Sequence, residues 1–479
     1  MRMRAADYDI CILGGGAAGL VTAAGAAALG ARTVLVEKQR LGGECLYTGC
    51  VPSKTLLHSA RMAALIRRAQ DCGLSAQLAP PEIGRVMGHV AQVIAAIAPQ
   101  DSPEHLRSLG VEVIEAPGRF TGAHSVQAGG REIRARRFVI ATGSRPAIPP
   151  IPGLEQVRYF TNENIFSLRD SMPDLAIIGG GPIGVELAQA FSRLGSRVSI
   201  LESALQILPR EDADVAQALG DALRYDGIRL LTGVNAERIT QREHDLVVSY
   251  RDARGQLQEF AATHLLTAVG RIPALEELGL EQAGVVVRNG QLAVDDRLRT
   301  SQPHIYACGD VIGPCRFTHM AEHQAGVVLR NALFHMRSRA SRIIPRCIFT
   351  DPEVARVGLS ERQARERGVI YEVYRVPFAR ADRAQTDGQT QGFAKLLTDR
   401  RGRLLGAAIV GAQAGELIHE FALGLSQRLK ARDISACIHL YPALAQINRF
   451  VADERMKRRL TPATRRWLQL LFRLRGAHA

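Results

Sequence analysis

Two cysteines stand five positions apart in one glycine-flanked segment, Gly42-Gly-Glu-Cys45-Leu-Tyr-Thr-Gly-Cys50-Val-Pro-Ser-Lys54. This spacing has three interpretations: coincidence, half of a metal site, or a reversible disulfide. No second Cys/His pair offers the spacing of a zinc site, so no metal site is predicted. A disulfide requires that the two Cα atoms lie within about 7 Å of each other.

The disulfide interpretation restricts the backbone around the two cysteines. A regular helix separates residues i and i+5 by roughly 7 Å of rise and turns them to different sides. Cys45 and Cys50 can therefore be bridged only across an irregular helix start. Gly49 and Pro52 suit such a start.

A glycine motif precedes the cysteines. Residues 8–13 are typical of a short buried strand, and the motif Gly14-Gly-Gly16-Ala-Ala-Gly19 follows them. An alanine-rich helix and a second strand ending at Glu37 come next. The glycines allow the backbone to approach a pyrophosphate, the helix start supplies N–H groups, and the acid binds a ribose.

The same pattern recurs later in the chain. A strand, the motif Gly179-Gly-Gly181-Pro-Ile-Gly184, a helix and a strand ending at Glu202 repeat the order, and in both copies the acid lies 18 positions after the third glycine. One such motif is weak because a glycine-rich turn also fits it. Two copies, each with strands, helix and acid, predict two dinucleotides, FAD and a nicotinamide dinucleotide.

The second motif predicts NADH as the preferred donor. Glu202 would repel the 2′-phosphate of NADPH. The alternative is that Arg197 or Arg210 folds back to bind that phosphate.

The cysteine segment resembles the redox-active motif of the class I pyridine nucleotide–disulfide oxidoreductases, which include dihydrolipoyl dehydrogenase, glutathione reductase and mercuric reductase. The resemblance covers nearly the whole chain. Its further motifs are Ala141-Thr142-Gly143, Ala268-Val-Gly270-Arg-Ile-Pro273, the stretch from Thr300 to Asp310, and the stretch from Arg346 to Ala452.

The resemblance implies an α/β fold with two Rossmann-like dinucleotide-binding domains, for FAD and NAD, and a C-terminal α+β dimerisation domain. The predicted boundaries are 1–150 and 271–342 for the two parts of the FAD domain, 151–270 for the NAD(P) domain, 343–460 for the dimerisation domain and 461–479 for a basic amphipathic tail. The protein is then expected to be a homodimer.

The resemblance also implies a mechanism. NADH would pass hydride to FAD, which would reduce a Cys45–Cys50 disulfide, with Cys50 as the thiolate beside the flavin and Cys45 as the thiol that attacks substrate. Lys54 would pair with Glu186 and supply charge near the thiolate. The expected cofactor-binding residues are Gly14, Gly16, Gly19, Glu37, Gly43, Thr142, Gly143, Gly179, Gly181, Gly184, Glu202, Gly270, Asp310 and His319.

The substrate end departs from the family. Dihydrolipoyl dehydrogenase and glutathione reductase end with a His–Glu dyad that acts as acid and base. Here Tyr441 stands at the position of that His and Gln446 at the position of the Glu, while His439 matches a non-catalytic His and is a weaker candidate for acid–base work. A tyrosine with a pKa near 10 is a poor base at neutral pH.

Three functions therefore remain. The first is a mercuric-reductase-like enzyme with an unidentified disulfide, metal or quinone acceptor, although the vicinal cysteines of mercuric reductases are missing. The second is a dihydrolipoyl dehydrogenase with an atypical acid–base site, in which Tyr441 or His439 serves. The third is a membrane-side flavoprotein redox sensor without disulfide turnover.

Much of the positive charge lies near the end of the chain. The net charge is +14, of which +7 lies in the 31 residues from Arg449 onward. Trp467, Leu470, Leu471 and Leu474 share one face of a predicted basic helix, which either contacts an anionic membrane surface or packs on protein. No nucleic-acid-binding module is recognisable. With no secretory or membrane-spanning segment, we expect a cytoplasmic protein, with peripheral membrane contact through this tail as the alternative.

Overall fold

The computed structural model describes residues 6–243 and 245–474 of the chain. The described residues form two compact units. The first contains residues 6–203 and 228–342, and the second contains residues 204–227 and 343–474.

The first unit opens with a parallel sheet. Its strands and helices up to residue 150 are β1 (Tyr8–Leu13), α1 (Ala17–Ala28), β2 (Thr33–Glu37), α2 (Gly43–Tyr47), α3 (Cys50–Arg67), α4 (Ile83–Ile97), α5 (Pro103–Ser108), β3 (Val111–Glu115), β4 (Gly118–Gly122), β5 (Ser125–Ala128), β6 (Arg131–Ile140) and β7 (Ser144–Pro146). Ile10 and Ile12 of β1 are fully buried, and so are Val34 and Leu35 of β2. Strands covered on both faces need such continuous apolar runs.

The second glycine motif begins a second parallel sheet. Its region contains β8 (Asp174–Ile178), α6 (Pro182–Arg193), β9 (Arg197–Glu202), α7 (Ala213–Tyr225), β10 (Arg229–Thr232), β11 (Ala236–Arg242), β12 (Asp245–Arg251), β13 (Leu257–Ala262) and β14 (His264–Thr267). The parallel order is β10-β9-β8-β14, and β11, β12 and β13 form an antiparallel sheet. Each glycine motif thus follows the first strand of its own sheet.

The chain then returns to the first sheet. The elements of this part are β15 (Arg271–Pro273), β16 (Val287–Arg288), β17 (Gln291–Leu292), β18 (Ile305–Ala307) and α8 (Thr318–Phe334). Strand β18 pairs in parallel with β6 and completes the parallel order β3-β2-β1-β6-β18. Strands β7 and β15, at the outward and return crossings, pair with each other in antiparallel fashion.

The second unit is built on an antiparallel sheet of order β19-β20-β23-β22-β21. Its elements after residue 342 are β19 (Arg346–Ile348), β20 (Glu353–Gly358), α9 (Glu361–Glu366), β21 (Glu372–Pro377), α10 (Asp382–Thr386), β22 (Phe393–Thr398), β23 (Leu404–Gly411), α11 (Ala414–Leu417), α12 (His419–Ser426), α13 (Ala431–Ala436), α14 (Gln446–Arg459) and α15 (Pro462–Phe472). Phe378 and Phe421 are fully buried in its core.

Buried ion pairs tie residues 204–227 to the rest of the second unit. Arg356 of β20 donates two hydrogen bonds to Glu211, at 2.6 Å from Nε and 3.2 Å from Nη2. Both side chains are almost fully buried. A buried charge is tolerated only when it is paired, so this contact fixes the position of the segment.

Lys395 of β22 makes the second such contact. Its Nζ lies 2.8 Å from Asp212, 2.7 Å from Asp214 and 3.0 Å from Glu361, and its side chain is buried. One ammonium therefore holds together three carboxylates that would otherwise repel one another.

The C-terminal helix α15 begins as the sequence predicts. Thr461 is its N-cap, with a side-chain oxygen that accepts from the backbone N–H of Thr464, and Pro462 is its first residue. No residue of α15 is buried. The last residues of the predicted tail, 475–479, lie outside the described residues. Within the described residues, we find no helix with the length and apolar composition needed to cross a membrane.

The predicted fold class is confirmed, with two parallel α/β regions and a C-terminal α+β region. The five predicted domain boundaries stay predictions. The compact units divide the chain differently. The first unit joins both predicted FAD parts with most of the predicted NAD(P) region, and residues 204–227, which lie within the predicted 151–270 region, group with the C-terminal part.

We expect Lys395→Met to destabilise the second unit. Removing the ammonium leaves three carboxylates around a buried methyl group, and breaking such a buried network costs about 3–5 kcal/mol. Urea denaturation followed by tryptophan fluorescence and circular dichroism measures the loss. The matched control is Arg383→Gln, which removes an exposed pair with Asp387 and should cost about 0.5 kcal/mol or less. Equal effects of the two substitutions would contradict this account.

Candidate active site

The two cysteines lie on either side of a break between helices. Helix α2 carries Cys45 and ends at Tyr47, and α3 begins at Cys50 with Gly49 as its N-cap. The break is the irregular helix start that a Cys45–Cys50 bridge requires. Cys50 thus occupies the first position of an 18-residue helix, where the partial positive charge of the helix favours a thiolate.

One hydroxyl contacts both sulfur atoms. Oγ1 of Thr318, the first residue of α8, lies 3.2 Å from Sγ of Cys45 and 3.3 Å from Sγ of Cys50. The structure records both cysteines as thiols, with Cys45 half-buried and Cys50 exposed. Three elements distant in sequence therefore converge on one dithiol.

The pKa values of the two thiols are shifted in opposite directions. The hydrogen bond from the Cys45 thiol lowers the pKa of Cys50 to about 6, and the Thr318 hydroxyl and the Lys54 ammonium act in the same direction, against burial. The hydrogen bond to Cys50 and burial raise the pKa of Cys45 well above its ordinary value. Near neutral pH the pair therefore carries one negative charge, on Cys50.

The ion pair implied by the resemblance is present. Lys54 lies one turn after Cys50 on α3, and its Nζ donates to Oε2 of Glu186 at 2.9 Å. Glu186 belongs to α6, directly after the second glycine motif, and is buried. The carboxylate orients the ammonium, which in turn stabilises the Cys50 thiolate.

A second charged cluster surrounds Glu44, the neighbour of Cys45. The Glu44 carboxylate accepts hydrogen bonds from the Arg271 guanidinium and from Nδ2 of Asn162, the latter at 2.8 Å. Nη1 of Arg271 also donates to Oδ1 of Asn162, at 3.1 Å. Burial raises the pKa of Glu44 to about 7, although the Arg271 guanidinium acts in the opposite direction.

Arg271 connects this cluster to Asp310. Its Nε donates to Oγ of Ser144 at 2.8 Å, and that hydroxyl donates to Oδ2 of Asp310 at 2.7 Å. The Arg271 side chain is 9% exposed. It therefore joins the cysteine helix, the chain crossing and the second flavin motif.

The first glycine motif forms a tight cradle. A Cβ at Gly14, whose φ is +106°, would overlap the carbonyl of Ala141, and a Cβ at Gly19 would overlap the carbonyl oxygen of Gly14. Only glycine permits this close approach of helix α1 to the strands.

The other predicted residues of the first glycine motif lie at the start of α1. Gly43 packs against Gly16, which is the N-cap of α1, and no described side chain caps the helix there. Oε2 of Glu37 accepts from the N–H of Gly15 at 2.6 Å. Backbone N–H groups at an uncapped helix start beside a fixed carboxylate fit the pyrophosphate and ribose of a dinucleotide.

The chain crossing brings three predicted residues together. Oγ1 of Thr142 donates to the carbonyl of Ala274 at 2.7 Å, and the carbonyls of Gly143 and Gly270 accept from the N–H groups of Ala274 and Ala147. Asp310 joins them through Ser144. These four predicted cofactor-binding residues thus form one connected group.

The second motif repeats this geometry. A Cβ at Gly184 would overlap the carbonyl of Gly179, and Gly181 is the N-cap of α6. Oε2 of Glu202 accepts from the N–H of Gly180 at 2.7 Å. The motif fits a second dinucleotide by the same physical criteria.

Three predicted residues lie apart from the dithiol contacts. His319 follows Thr318, is exposed, and stacks on the ring of Phe317. Tyr441 and His439 belong to the second compact unit. Tyr441 is 66% exposed, whereas the His439 side chain is almost fully buried.

The sequence analysis missed five contributors, Glu44, Ser144, Asn162, Arg271 and Thr318. Four of them stood inside or beside a quoted motif: Glu44 precedes Cys45, Ser144 follows Gly143, Arg271 follows Gly270 and Thr318 precedes His319. Adjacency to a motif was the available signal. Asn162 carried no such signal.

Comparison with known proteins agrees with this geometry. Residues 8–325 match the family profile described as pyridine nucleotide-disulphide oxidoreductase, and residues 344–449 match the dimerisation domain of that family. The chain is similar to a mercuric reductase from Bacillus cereus, with 32% identity over 92% of this chain and 70% of the relative. It is equally similar to a dihydrolipoyl dehydrogenase from Bacillus subtilis (strain 168), with 32% identity over 92% of this chain and 96% of the relative.

A solved structure is similar over the same extent. It is a Cu(II) complex of the HOCl-induced flavoprotein disulfide reductase RclA from Escherichia coli, with a TM-score of 0.83 and 30% identity over 92% of this chain and 99% of that one. The chain therefore belongs to the pyridine nucleotide–disulphide oxidoreductase family and is an NAD(P)H-dependent flavoprotein disulfide oxidoreductase.

Proposed function

We propose that this protein passes electrons from NAD(P)H, by way of FAD, to a Cys45–Cys50 disulfide and on to a small acceptor: a disulfide, a metal ion or a quinone. The observation that carries the proposal is the contact of one Thr318 hydroxyl with both sulfur atoms. That contact holds the two thiols together at the start of a helix. Lys54 and Glu186 lie beside them.

The residues of the two glycine motifs fit the cofactors. FAD, when bound, would accept a hydride from the nicotinamide and supply two electrons to the disulfide. The uncapped start of α1 would hold its pyrophosphate, with Glu37 at the ribose. Asp310 would bind hydroxyls of the flavin chain, with its carboxylate fixed by Ser144.

The dithiol itself can move the proton that the reaction needs. Reduction of the disulfide by two electrons, with uptake of one proton, yields the Cys45 thiol and the Cys50 thiolate. The Cys45 thiol is hydrogen-bonded to Cys50. Transfer of that proton to Cys50 gives a Cys45 thiolate, which attacks the acceptor, without a histidine base.

Tyr441 is poorly suited to replace the missing histidine. Its hydroxyl donates to Oδ2 of Asp382 at 3.1 Å, and this hydrogen bond to a carboxylate raises the pKa of Tyr441. A tyrosine in this state keeps its proton at neutral pH. This observation favours a mercuric-reductase-like enzyme over a dihydrolipoyl dehydrogenase, whose dithiol substrate dihydrolipoamide donates electrons and needs a base to remove its proton.

The second motif supports NADH as the preferred donor. Arg197, one of the two arginines that could bind a 2′-phosphate, donates to both carboxylate oxygens of Asp174 at 2.6 Å. Glu202 keeps its carboxylate at the glycine motif. A phosphate on the ribose would meet this negative charge.

We also propose a homodimer. The segment between α13 and α14 exposes three large apolar side chains, Ile438, Leu440 and Tyr441, of which Ile438 is 96% exposed. Contiguous exposed apolar groups are typical of an association surface. They lie within the region that matches the dimerisation domain.

Helix α15 supports a second role, contact with an anionic membrane surface. Trp467, Leu470 and Leu471 are exposed on one face, and Arg465 and Arg466 add positive charge. An isolated helix of 11 residues is marginal in water, so this one needs a surface to stabilise it. An interfacial helix with these residue types suits anionic lipid.

The first prediction concerns the thiolate. In the reduced protein, the rate of Cys50 alkylation should rise with pH with a midpoint of about 6. Thr318→Val and Lys54→Met should each move the midpoint upward, because each removes a group that stabilises the thiolate. Iodoacetamide labelling at a series of pH values, with mass spectrometry of the Cys50 peptide, measures this. An unchanged midpoint in both variants would refute the assignment.

The second prediction concerns the acceptor. Consumption of NADH and of NADPH is measured with lipoamide, glutathione disulfide, Hg(II), quinones and O₂ as acceptors. We expect turnover with at least one acceptor, a lower Michaelis constant for NADH than for NADPH, and little turnover with lipoamide. Cys45→Ser should lose on the order of a hundredfold or more, as removal of a nucleophile does, whereas the exposed Cys72→Ser should not. If Cys45→Ser turned over every acceptor as fast as the unsubstituted protein, the proposed function would be wrong.

The third prediction concerns the C-terminal helix. The full chain should sediment with phosphatidylserine vesicles and not with phosphatidylcholine vesicles, and deletion of residues 461–479 should abolish binding while NADH consumption persists. Leu471→Glu, which places a charge on the apolar face, should weaken binding in the same assay. Undiminished sedimentation of the deletion variant would show that the helix has another role.

A further inference from the structure

We propose that Glu420, Cys437 and His439 form a binding site for a divalent metal ion of the zinc type, separate from the redox dithiol. Glu420 comes from α12, and the other two residues follow α13. One ligand atom of each, a carboxylate oxygen, Sγ and a ring nitrogen, lie within 4.8 Å of one another. This departs from the sequence-based prediction that the chain has no metal site.

The contacts of His439 favour a cation between its ring and the Glu420 carboxylate. Its Nδ1 lies 2.9 Å from the carbonyl oxygen of Cys437, so Nδ1 carries a proton and donates it. Its Nε2 lies 3.1 and 3.2 Å from the two carboxylate oxygens of Glu420. In neutral imidazole this Nε2 bears a lone pair facing the carboxylate. A metal cation bound between the two groups turns that repulsion into attraction.

The surroundings hold these two groups in place. Nδ2 of Asn448 donates to Oε2 of Glu420 at 2.9 Å and also to the carbonyl of Leu417, and Asn448 is buried. The bond from Nδ1 of His439 to a carbonyl fixes the tautomer that leaves Nε2 for a metal. Outer contacts of these two kinds are the ones that orient metal ligands in proteins.

The third ligand identifies the kind of ion. The Cys437 thiol is exposed in the single chain, and an ion that binds it displaces the thiol proton. A thiolate, an imidazole and a carboxylate together suit Zn²⁺, which binds them at about 2.0–2.3 Å in tetrahedral geometry. Solvent can take the fourth position.

A comparison within the same unit shows the alternative arrangement. Asp212, Asp214 and Glu361 converge as closely, and there the Nζ of Lys395 occupies the centre. In the part of the chain that the structure describes, no lysine or arginine pairs with Glu420, and its ion-pair partner is His439. The cluster of Asp212, Asp214 and Glu361 contains its own cation, Lys395. The cluster of Glu420, Cys437 and His439 can accept one from solution.

The test measures Zn²⁺ binding to the holoprotein with Cys45→Ser and Cys50→Ser, because the redox dithiol would itself bind zinc. Competition with a chromophoric chelator should give one Zn²⁺ per chain. His439→Ala and Cys437→Ser should each weaken binding at least about tenfold, since loss even of an outer-shell partner costs that much. Cys72→Ser, which removes an exposed cysteine elsewhere, is the matched control and should bind normally.

Cobalt supplies a second readout. Co²⁺ in this site should give a thiolate-to-metal absorption band that Cys437→Ser abolishes, and this variant changes only one sulfur to oxygen. Unaltered Zn²⁺ affinity in Cys437→Ser and His439→Ala, or a cobalt complex without a thiolate band, would overturn the proposal.

Discussion

The structure depends on the convergence of two sulfur atoms on one hydroxyl. Cys45 and Cys50 belong to consecutive helices, and a continuous helix would hold their side chains apart. The break before Gly49 turns them toward each other, and Thr318 contacts both. Because Thr318 begins α8, the dithiol is positioned only after the chain has returned to its first sheet.

Charge then makes the two sulfurs unequal. The start of α3 and the Lys54 ammonium favour a negative charge on Cys50, while Cys45 keeps its proton in the hydrogen bond between them. Glu186 fixes the ammonium, and it lies in the second glycine region, not in the first. The acidity of the dithiol is thus a property of both nucleotide-binding regions together.

The sequence predicted what is local or repeated. The strand from residue 8, both glycine motifs with their acids, and the start of α15 follow from spacing alone. Thr318 could not be predicted, because its contact spans 273 positions and a threonine beside a histidine carries no pattern. Likewise, nothing in residues 204–227 indicates that Glu211 will pair with Arg356. Pairing of buried charges is decided by the fold, not by local sequence.

The segment around Tyr441 shows how one substitution changes the demands on the rest of the site. A histidine there would exchange protons at neutral pH, but the Tyr441 hydroxyl donates a hydrogen bond to Asp382, which raises the pKa of the tyrosine. His439 cannot take over freely, because its Nδ1 donates to a carbonyl and its Nε2 faces the Glu420 carboxylate. In the function proposed above, the proton is therefore moved within the dithiol. The acceptors that fit this proposal react with a thiolate and bring no proton of their own to remove.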